Sequence, residues 1–315
     1  MKKSTKKIIK KLPTVSVGIP AYNEEHTIKD LIISILKQKQ ISFKLEKIFV
    51  VCDGCSDNTA DIARKVAKKH KNIVVVDDKK RLGKAQRLNM IYSMNKSDYL
   101  ATFDADILLK RAIEIEIMMK RMLESKKTQV VCARIIPVEQ ESFMGKISVI
   151  SYKSFEDAVL RLNGGNNYFA MVGCASLLRK SLSKSFSYPE ETISDQNYLY
   201  TMAIRKNKDG VRLAKDTQIL FRTVTTFEDW RILGVRSVVM DKANVASLLG
   251  DDVLNEYRMP RWIFFTSLLK WLIKSPMYTT GSILMNMYIR IFPLRSAYPQ
   301  HGIWSVAMSS KFQIF

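Results

Sequence analysis

The sequence predicts an α/β protein built on a mostly parallel sheet flanked by helices. Apolar runs typical of buried strands alternate with segments in which apolar residues recur at helical spacing. Strands and helices that alternate in this way form parallel pairs with right-handed crossovers. The 315 residues, 47% of them hydrophobic, are enough to bury one large domain with an appendage. We expect a basic arm at 1–12, this domain at 13–250 and an apolar helical segment at 251–315.

The first half of the chain predicts four strands separated by helices. Strands are expected at 15–19, 47–52, 72–76 and 99–103, and helices at 28–35, 58–67 and 83–95. Asp57 or Asn58 is placed to cap the second helix. Asn23, Asp53 and Asp104 follow three of these strands. Ligands of such sheets bind beyond the carboxyl ends of the strands, so we expect these three residues near a ligand.

The second half is less regular. A helix is expected over 107–124 and a strand over 129–133, before a mixed region that Gly164, Gly165 and Gly173 interrupt. A helix over 194–205, an extended segment over 211–221 and a further helix over 228–249 then follow. This order extends the sheet beyond its first four strands.

The last segment differs from the rest of the chain in its pattern. Its apolar runs at 262–269 and 283–289 are closely flanked by Arg and Lys. Neither run reaches the roughly 20 apolar residues of a spanning helix. The pattern favours helices that lie in the headgroup plane of a membrane, and the net charge of +21 favours an anionic leaflet. The alternative is that both helices pack on the domain as ordinary core.

Composition also indicates in which cellular compartment the protein is found. Residues 1–11 contain six lysines and lack the apolar stretch of a secretory signal. Four cysteines are few for this length, and three of them adjoin apolar runs, where a reduced cysteine behaves as a small core residue. We therefore expect a cytoplasmic protein, peripheral on the cytoplasmic face of the membrane.

The acidic motif Asp104-Ala105-Asp106 is the strongest indication of function. It follows the apolar run 99–103 directly. Two carboxylates at the end of a strand supply oxygen ligands where a divalent cation and a diphosphate can meet. Acids in this position also cap helices, which is the structural alternative.

Two other turns carry residues suited to a nucleotide. Asp53 can accept a hydrogen bond from a base N–H or a ribose hydroxyl, and Gly54 allows the chain to turn sharply. Arg81 and Lys84 place two cations around Gly83, which suits a pyrophosphate. The alternative for this last pair is a solvated basic turn.

These motifs occur in a recognisable order. The segments at 20–25 (Pro-Ala-Tyr-Asn-Glu-Glu), 53–59 (Asp-Gly-Cys-Ser-Asp-Asn-Thr), 81–85 (Arg-Leu-Gly-Lys-Ala) and 104–106 resemble the family 2 glycosyltransferases of the GT-A fold. The resemblance covers about 15–230. It implies a GT-A domain that transfers a hexosyl or N-acetylhexosaminyl group from a nucleotide diphosphate sugar, with inversion and with bound Mg²⁺ or Mn²⁺.

The resemblance also implies roles for individual residues. The base, ribose, diphosphate and sugar of the donor would contact Pro20, Ala21, Tyr22, Glu24, Asp53, Arg81, Lys84, Asp104 and Ala105. Asp106 would ligate the metal together with Asp104. Gly173 and Cys174 would lie on the acceptor side, with a bulge as the structural alternative for the glycine.

An inverting transfer needs a base for the proton of the acceptor hydroxyl. In the family this base is an acid in an acidic pair at a helix start. Here Ser194 replaces the first acid of the pair, so Asp195 is the expected base, with Glu190 and Glu191 as fallbacks. The structural alternative is that Ser194 or Asp195 only caps the helix.

The leading hypothesis is therefore an inverting, metal-dependent glycosyltransferase that acts on a lipid-linked or glycan acceptor. Processive polymerisation is not supported, because Trp230-Arg231 reverses the Arg-Trp order of processive synthases and no Trp follows Arg236. A sugar-phosphate nucleotidyltransferase is the first alternative, although the loop after the first strand is acidic. A basic nucleic-acid-binding protein is the second, and the sequence shows no helix-turn-helix, zinc-finger or RNA-binding signature.

Overall fold

A computed structural model describes residues 12–171, 173–297 and 302–314. The predicted basic arm, apart from Leu12, lies outside these residues. The strands are β1 Thr14–Ala21, β2 Lys44–Asp53, β3 Ile73–Asp78, β4 Tyr99–Phe103, β5 Ile107–Leu109, β6 Val130–Pro137, β7 Ala175–Arg179 and β8 Val211–Phe221. The helices are α1 Ile28–Leu36, α2 Thr59–Ala67, α3 Lys84–Met94, α4 Glu114–Leu123, α5 Phe143–Arg161, α6 Lys180–Ser183, α7 Asp195–Lys206, α8 Phe227–Gly234, α9 Asp241–Leu249, α10 Arg261–Lys274 and α11 Pro276–Ile291.

The eight strands form one sheet in the order β3-β2-β1-β4-β7-β6-β8-β5. The pairs β1–β2, β2–β3, β1–β4 and β6–β8 are parallel. The pairs β4–β7, β6–β7 and β5–β8 are antiparallel. The prediction of a mostly parallel α/β sheet is confirmed.

The predicted helix over 107–124 was wrong at its start. Ile107–Leu109 is a strand that pairs antiparallel with 219–221 of β8, and the helix begins only at Glu114. Ile107 and Leu109 are buried in this edge strand. Because Asp104 and Asp106 precede a strand and not a helix, the helix-capping alternative for the acidic motif is excluded.

The sheet brings the ends of β1, β2 and β4 to one edge. Ala21 pairs with Cys52, and Gly18 pairs with Thr102. Helix α3 packs closely on β1, since a Cβ atom on Gly18 would lie 2.3 Å from Cγ2 of Ile91. This contact fixes α3 across the sheet and carries its first residue, Lys84, to the same edge.

The C-terminal part of the chain has two components. Helices α10 and α11 pack on α5, and the side chains of Phe265 and Ile273 are 61% and 78% exposed. Residues 302–314, which we call the C-terminal tail, then return to the carboxyl edge of the sheet. Within the described ranges, every helix is too short or too polar to cross a bilayer.

Candidate active site

A cavity of about 200 Å³ opens at the carboxyl edge of the sheet. Twelve of the predicted site residues line it: Pro20, Ala21, Tyr22, Glu24, Asp53, Arg81, Lys84, Asp104, Ala105, Asp106, Cys174 and Asp195. Gly173 borders it, since its carbonyl accepts a hydrogen bond from Nζ of Lys84 at 3.2 Å. The structure therefore brings together the residues to which the resemblance assigns a role, whereas Asn23 and the fallback bases Glu190 and Glu191 do not line the cavity.

Lys84 contacts both the acid predicted to face the donor, Asp104, and the acid predicted to act as the base, Asp195. Its Nζ lies 2.7 Å from Oδ1 of Asp104 and 3.2 Å from Oδ2 of Asp195. Burial lowers the pKa of Lys84, but the two carboxylates outweigh burial and leave the pKa above its usual value. Lys84 is therefore a charged, partly buried bridge between two carboxylates, and the alternative of a solvated basic turn does not hold for it.

The acidic motif fits a divalent cation that is shared with a ligand. Burial raises the pKa of Asp106, and the negative charge of Asp104 raises it further. Such an acid pair favours a bound positive charge. No cluster of three or more His, Cys, Asp or Glu side chains able to hold a metal exists among the described residues. Two carboxylates fit Mg²⁺ or a similar ion that takes its remaining ligands from water and substrate phosphates.

Asp53 has a structural role that its sequence position did not reveal. Its Oδ1 accepts hydrogen bonds from the Leu82 N–H and from Nε of Arg87, both at 2.7 Å, and its Oδ2 accepts one from the Gly83 N–H at 2.9 Å. Three of about four acceptor positions on the carboxylate are thus taken. Asp53 fixes the turn before α3, and contact with a donor base or ribose stays a prediction.

Replacing Asp53 by alanine is expected to lower the free energy of unfolding by about 3 kcal/mol, because it removes a partner of a buried charge. The Arg87 side chain is 0% exposed. Urea denaturation measures the change. Asp78→Ala is the control, since Asp78 also pairs with Arg87 but is partly exposed, and it should cost less. Unchanged stability in Asp53→Ala would show that Asp53 serves only the ligand.

The C-terminal tail forms the wall of the cavity opposite the sheet. Nζ of Lys311 contacts the Glu24 carboxylate and donates to the Tyr22 carbonyl at 2.5 Å. Burial and Asp106 raise the pKa of Glu24 to about 8, against the opposing effect of Lys311. Cζ of Arg81 lies 3.9 Å from the centroid of the Tyr22 ring. The tail thus engages residues that the resemblance assigns to the donor.

The loop before α7 is held by α9. The side-chain amide of Asn244 accepts from the Ile193 N–H and donates to the Glu191 carbonyl, both at 2.9 Å. Asp241 accepts a hydrogen bond from the side chain of Asn197. These contacts fix Asp195 at the first turn of α7. Ser194 occupies the N-cap position but makes no side-chain capping hydrogen bond.

Gly173 lies beside the same helix start. Its φ is +75°, and a Cβ atom there would lie 2.3 Å from Oε1 of Gln196. Any side chain at this position would therefore push against the residue that follows Asp195.

Two contributions to the cavity were missed by the sequence analysis. One is the tail, including Trp304 and Lys311, and the other is Arg236 on the π-helical turn Val235–Met240 between α8 and α9. The sequence analysis placed the tail within the apolar helical segment at 251–315, and it considered Arg236 only in the comparison with processive synthases.

Comparison with known sequences identifies a family. Residues 16–186 match the sequence model of glycosyl transferase family 2. A poly-beta-1,6-N-acetyl-D-glucosamine synthase of Staphylococcus aureus (strain COL) is 27% identical over 183 residues, which cover 57% of this chain and 43% of that protein. The Staphylococcus epidermidis enzyme is 28% identical over 177 residues, or 55% and 41%. The chain thus spans less than half the length of these relatives.

Comparison with solved structures shows the fold. A mannosyltransferase from Pyrobaculum calidifontis in complex with GDP-Man and Mn²⁺ superposes with a TM-score of 0.57 at 16% identity, covering 91% of this chain and 78% of that one. For glucosyl-3-phosphoglycerate synthase from Mycobacterium tuberculosis in complex with Mn²⁺ and UDP, the TM-score is 0.53 at 17% identity, with coverage of 76% and 80%. The GT-A prediction is confirmed.

Proposed function

Because this chain belongs to glycosyl transferase family 2, we propose that it is an inverting, metal-dependent glycosyltransferase. It moves a hexosyl or N-acetylhexosaminyl group from a nucleotide diphosphate sugar to a hydroxyl of a lipid-linked or glycan acceptor. The poly-beta-1,6-N-acetyl-D-glucosamine synthases among its relatives support an N-acetylhexosaminyl group as the first candidate. The neighbours in complex with GDP-Man or UDP support a nucleotide diphosphate donor.

The observation that carries the proposal is the position of Lys84 between Asp104 and Asp195. One ammonium group touches both the acid that would face the donor and the acid that would act as base. A direct displacement requires the donor carbon between these two groups, so that the hydroxyl attacks from one side as the nucleotide leaves from the other. The presence of both acids in one cavity, on either side of Lys84, supports this proposal.

Each residue then has a definite task. Asp195 accepts the proton of the acceptor hydroxyl as that oxygen attacks. Lys84 and Arg81 provide positive charge for the departing diphosphate. Asp106, together with Asp104, would hold Mg²⁺ or Mn²⁺, which supplies further positive charge for the leaving group. Gly173 and Cys174 border the space that remains for the acceptor.

The tail limits the space for a donor. A cavity of about 200 Å³ is smaller than the roughly 300–1,000 Å³ of typical ligand sites. Tyr22, Glu24 and Arg81 are also bonded to or in contact with Lys311 and Trp304. Donor binding therefore requires that the tail move. Tyr22, Glu24 and Arg81 then lose their contacts with the tail and contact the nucleotide instead.

The exposed face of α10 and α11 supports peripheral binding to the cytoplasmic face of a membrane. Along α10, the side chains of Trp262, Phe265, Leu269 and Ile273 are exposed and recur at helical spacing. Met277, Leu284 and Ile291 continue this surface on α11. Basic residues adjoin the apolar face, as expected for a surface that meets anionic headgroups.

Exchanging Phe265 and Ile273 together for serine is expected to lower the affinity for phosphatidylglycerol vesicles at least about tenfold. The reason is that two apolar side chains no longer gain free energy by moving from water into the membrane. Vesicle sedimentation measures the change. Leu123→Ser is the control, since Leu123 is an exposed leucine on α4. If the double variant and the wild type sediment alike, these helices do not bind the membrane.

Product analysis tests the proposed function. The wild type is incubated with Mn²⁺, UDP-N-acetylglucosamine, UDP-glucose or GDP-mannose, and a bacterial lipid extract. Release of the nucleoside diphosphate with transfer of the sugar supports the proposal. A parallel incubation supplies UTP or GTP with a sugar 1-phosphate instead, and release of pyrophosphate there would establish a nucleotidyltransferase. A donor that binds is found first by thermal shift, because a ligand of the folded state raises the unfolding temperature.

A further inference from the structure

Two cysteines contact each other at the end of β2, beside the turn that the resemblance assigns to the donor. Cys52 lies within β2 and is 0% exposed, whereas Cys55 lies two residues beyond the strand and is partly exposed. Both pack against the same core, and the Cys52 thiol donates a hydrogen bond to the sulfur of Cys55. A zinc site needs four ligands, and the described part of the chain has no group of three that includes this pair. The pair is therefore suited to thiol chemistry and not to a metal.

Cys55 is the reactive member of the pair. The hydrogen bond from Cys52 lowers the pKa of Cys55 to about 7, and the Asn23 N–H contributes, against the opposing effect of burial. The same hydrogen bond and burial raise the pKa of Cys52. Burial also raises the pKa of Cys132 and of Cys174. Because the thiolate is the nucleophile, an oxidant attacks Cys55 before the other three cysteines.

The sulfur of Cys55 supports the turn after β1. It donates a hydrogen bond to the Ala21 carbonyl at 3.4 Å and accepts one from the Asn23 N–H at 3.5 Å. These two residues flank Tyr22, which lines the cavity and stacks with Arg81. The position of Cys55 therefore helps to set the position of the Tyr22 ring.

The residues before Cys55 are packed just as closely on the loop before α3. Gly54 has a φ of +68°, and a Cβ atom there would lie 2.8 Å from the backbone nitrogen of Arg81. The Gly54 N–H donates to the Asp78 carbonyl at 2.9 Å. A displacement of Cys55 would therefore disturb both loops that carry predicted donor residues.

A bond between the two sulfurs would displace Cys55 and not Cys52. Cys52 is held in the middle of the sheet, where it pairs with Ala21 of β1 and with Asp77 of β3. Cys55 lies in an irregular turn outside the strands. The sulfurs of a disulfide lie closer together than two hydrogen-bonded thiols, so Cys55 must approach Cys52 and give up its contacts with Ala21 and Asn23.

We infer that Cys52 and Cys55 close to a reversible disulfide when the protein meets a peroxide, and that this disulfide weakens nucleotide binding. The Cys55 thiolate attacks one oxygen of hydrogen peroxide, the O–O bond breaks, and the departing hydroxide takes up a proton to become water. The Cys52 sulfur then attacks the resulting sulfenic acid, and the Cys52 proton leaves with the hydroxyl group as a second water. The two cysteines lose two electrons, which reduce the peroxide.

A dithiol reverses the reaction by thiol–disulfide exchange. Disulfides that form in a reducing compartment are usually transient and redox-sensing. The effect on nucleotide binding rests on the proposed function, because it takes the turn that carries Tyr22 as part of the donor site.

Treatment of the reduced protein with hydrogen peroxide tests the inference. Peptide mapping after alkylation locates the disulfide, and titration with UDP or GDP and Mn²⁺ measures nucleotide affinity. We expect a Cys52–Cys55 bond, a loss of about tenfold or more in nucleotide affinity, and recovery with dithiothreitol. Cys55→Ser should have the same affinity before and after peroxide. Cys132→Ala is the matched control and should respond to peroxide as the wild type does, since Cys132 lies in the core away from the pair.

Three outcomes would overturn the inference. The peptide map could lack the Cys52–Cys55 bond, the bond could form without a change in nucleotide affinity, or peroxide could lower the affinity of Cys55→Ser as much as that of the wild type. A reduced wild type that binds neither nucleotide would contradict the proposed donor site, and with it the inferred effect on binding. The peptide map would still decide whether the disulfide forms.

Discussion

Replacing Asp106 by alanine is expected to abolish sugar transfer, with a fall in turnover of about 10³-fold or more. The reason is that a metal ion contributes several kcal/mol to a transition state in which negative charge builds up, and each 1.4 kcal/mol is about tenfold in rate. The variant should also lose Mn²⁺-dependent nucleotide binding. Initial rates and titration with UDP or GDP, with and without Mn²⁺, measure both effects.

The stability of the Asp106→Ala variant separates loss of metal from loss of fold. Burial and Asp104 raise the pKa of Asp106, so the ionised carboxylate costs folding energy at neutral pH in the metal-free protein. The variant should therefore be at least as stable as the wild type without metal. Asp30→Ala, on the exposed side of α1, is the control and should retain activity. Near-normal turnover in Asp106→Ala would refute the metal assignment.

Replacing Asp195 by asparagine is expected to reduce turnover by about 10²–10⁴-fold, the usual contribution of a general base. Asparagine keeps the shape of the side chain, and Lys84 keeps Asp104 as a partner, so nucleotide binding with Mn²⁺ should remain. Burial raises the pKa of Asp195, although Lys84 opposes it. The wild type should therefore lose activity, as the pH falls, at a higher pH than an ordinary aspartate would dictate.

The controls for Asp195 are the two glutamates that precede it. Glu190 and Glu191 are exposed and do not line the cavity, so Glu190→Gln and Glu191→Gln should transfer sugar at the wild-type rate. Should one of them lose turnover while Asp195→Asn keeps it, the base has been assigned to the wrong acid.

The sequence predicted the site well where a predicted strand ends in residues that can bind a nucleotide or a metal. Parallel strands end at one edge of a sheet, so the predicted strand ends were enough to expect that Asn23, Asp53 and Asp104 lie near one another. The match of four short motifs to a known family added Asp195, which lies far along the chain. Asp53, Asp104 and Asp195 line the cavity, whereas the side chain of Asn23 bonds to Ser56 and does not line it.

The parts that were missed depend on contacts between distant residues. Arg87 is 34 positions from Asp53, and no periodicity shows that the two are paired. Arg81 and Trp304 are 223 positions apart, so the return of the tail could not be inferred from its composition. The strand Ile107–Leu109 is only three residues long and owes its conformation to its partner β8.

A crystal structure of the chain with Mn²⁺ and UDP or GDP tests the central claim most directly, because the anomalous signal of manganese locates the ion. The account predicts one manganese bound by the Asp106 carboxylate and by the diphosphate of the nucleotide, with Asp195 across the cavity. A nucleotide whose diphosphate lies away from Asp104 and Asp106, or which binds without any ion there, would contradict it.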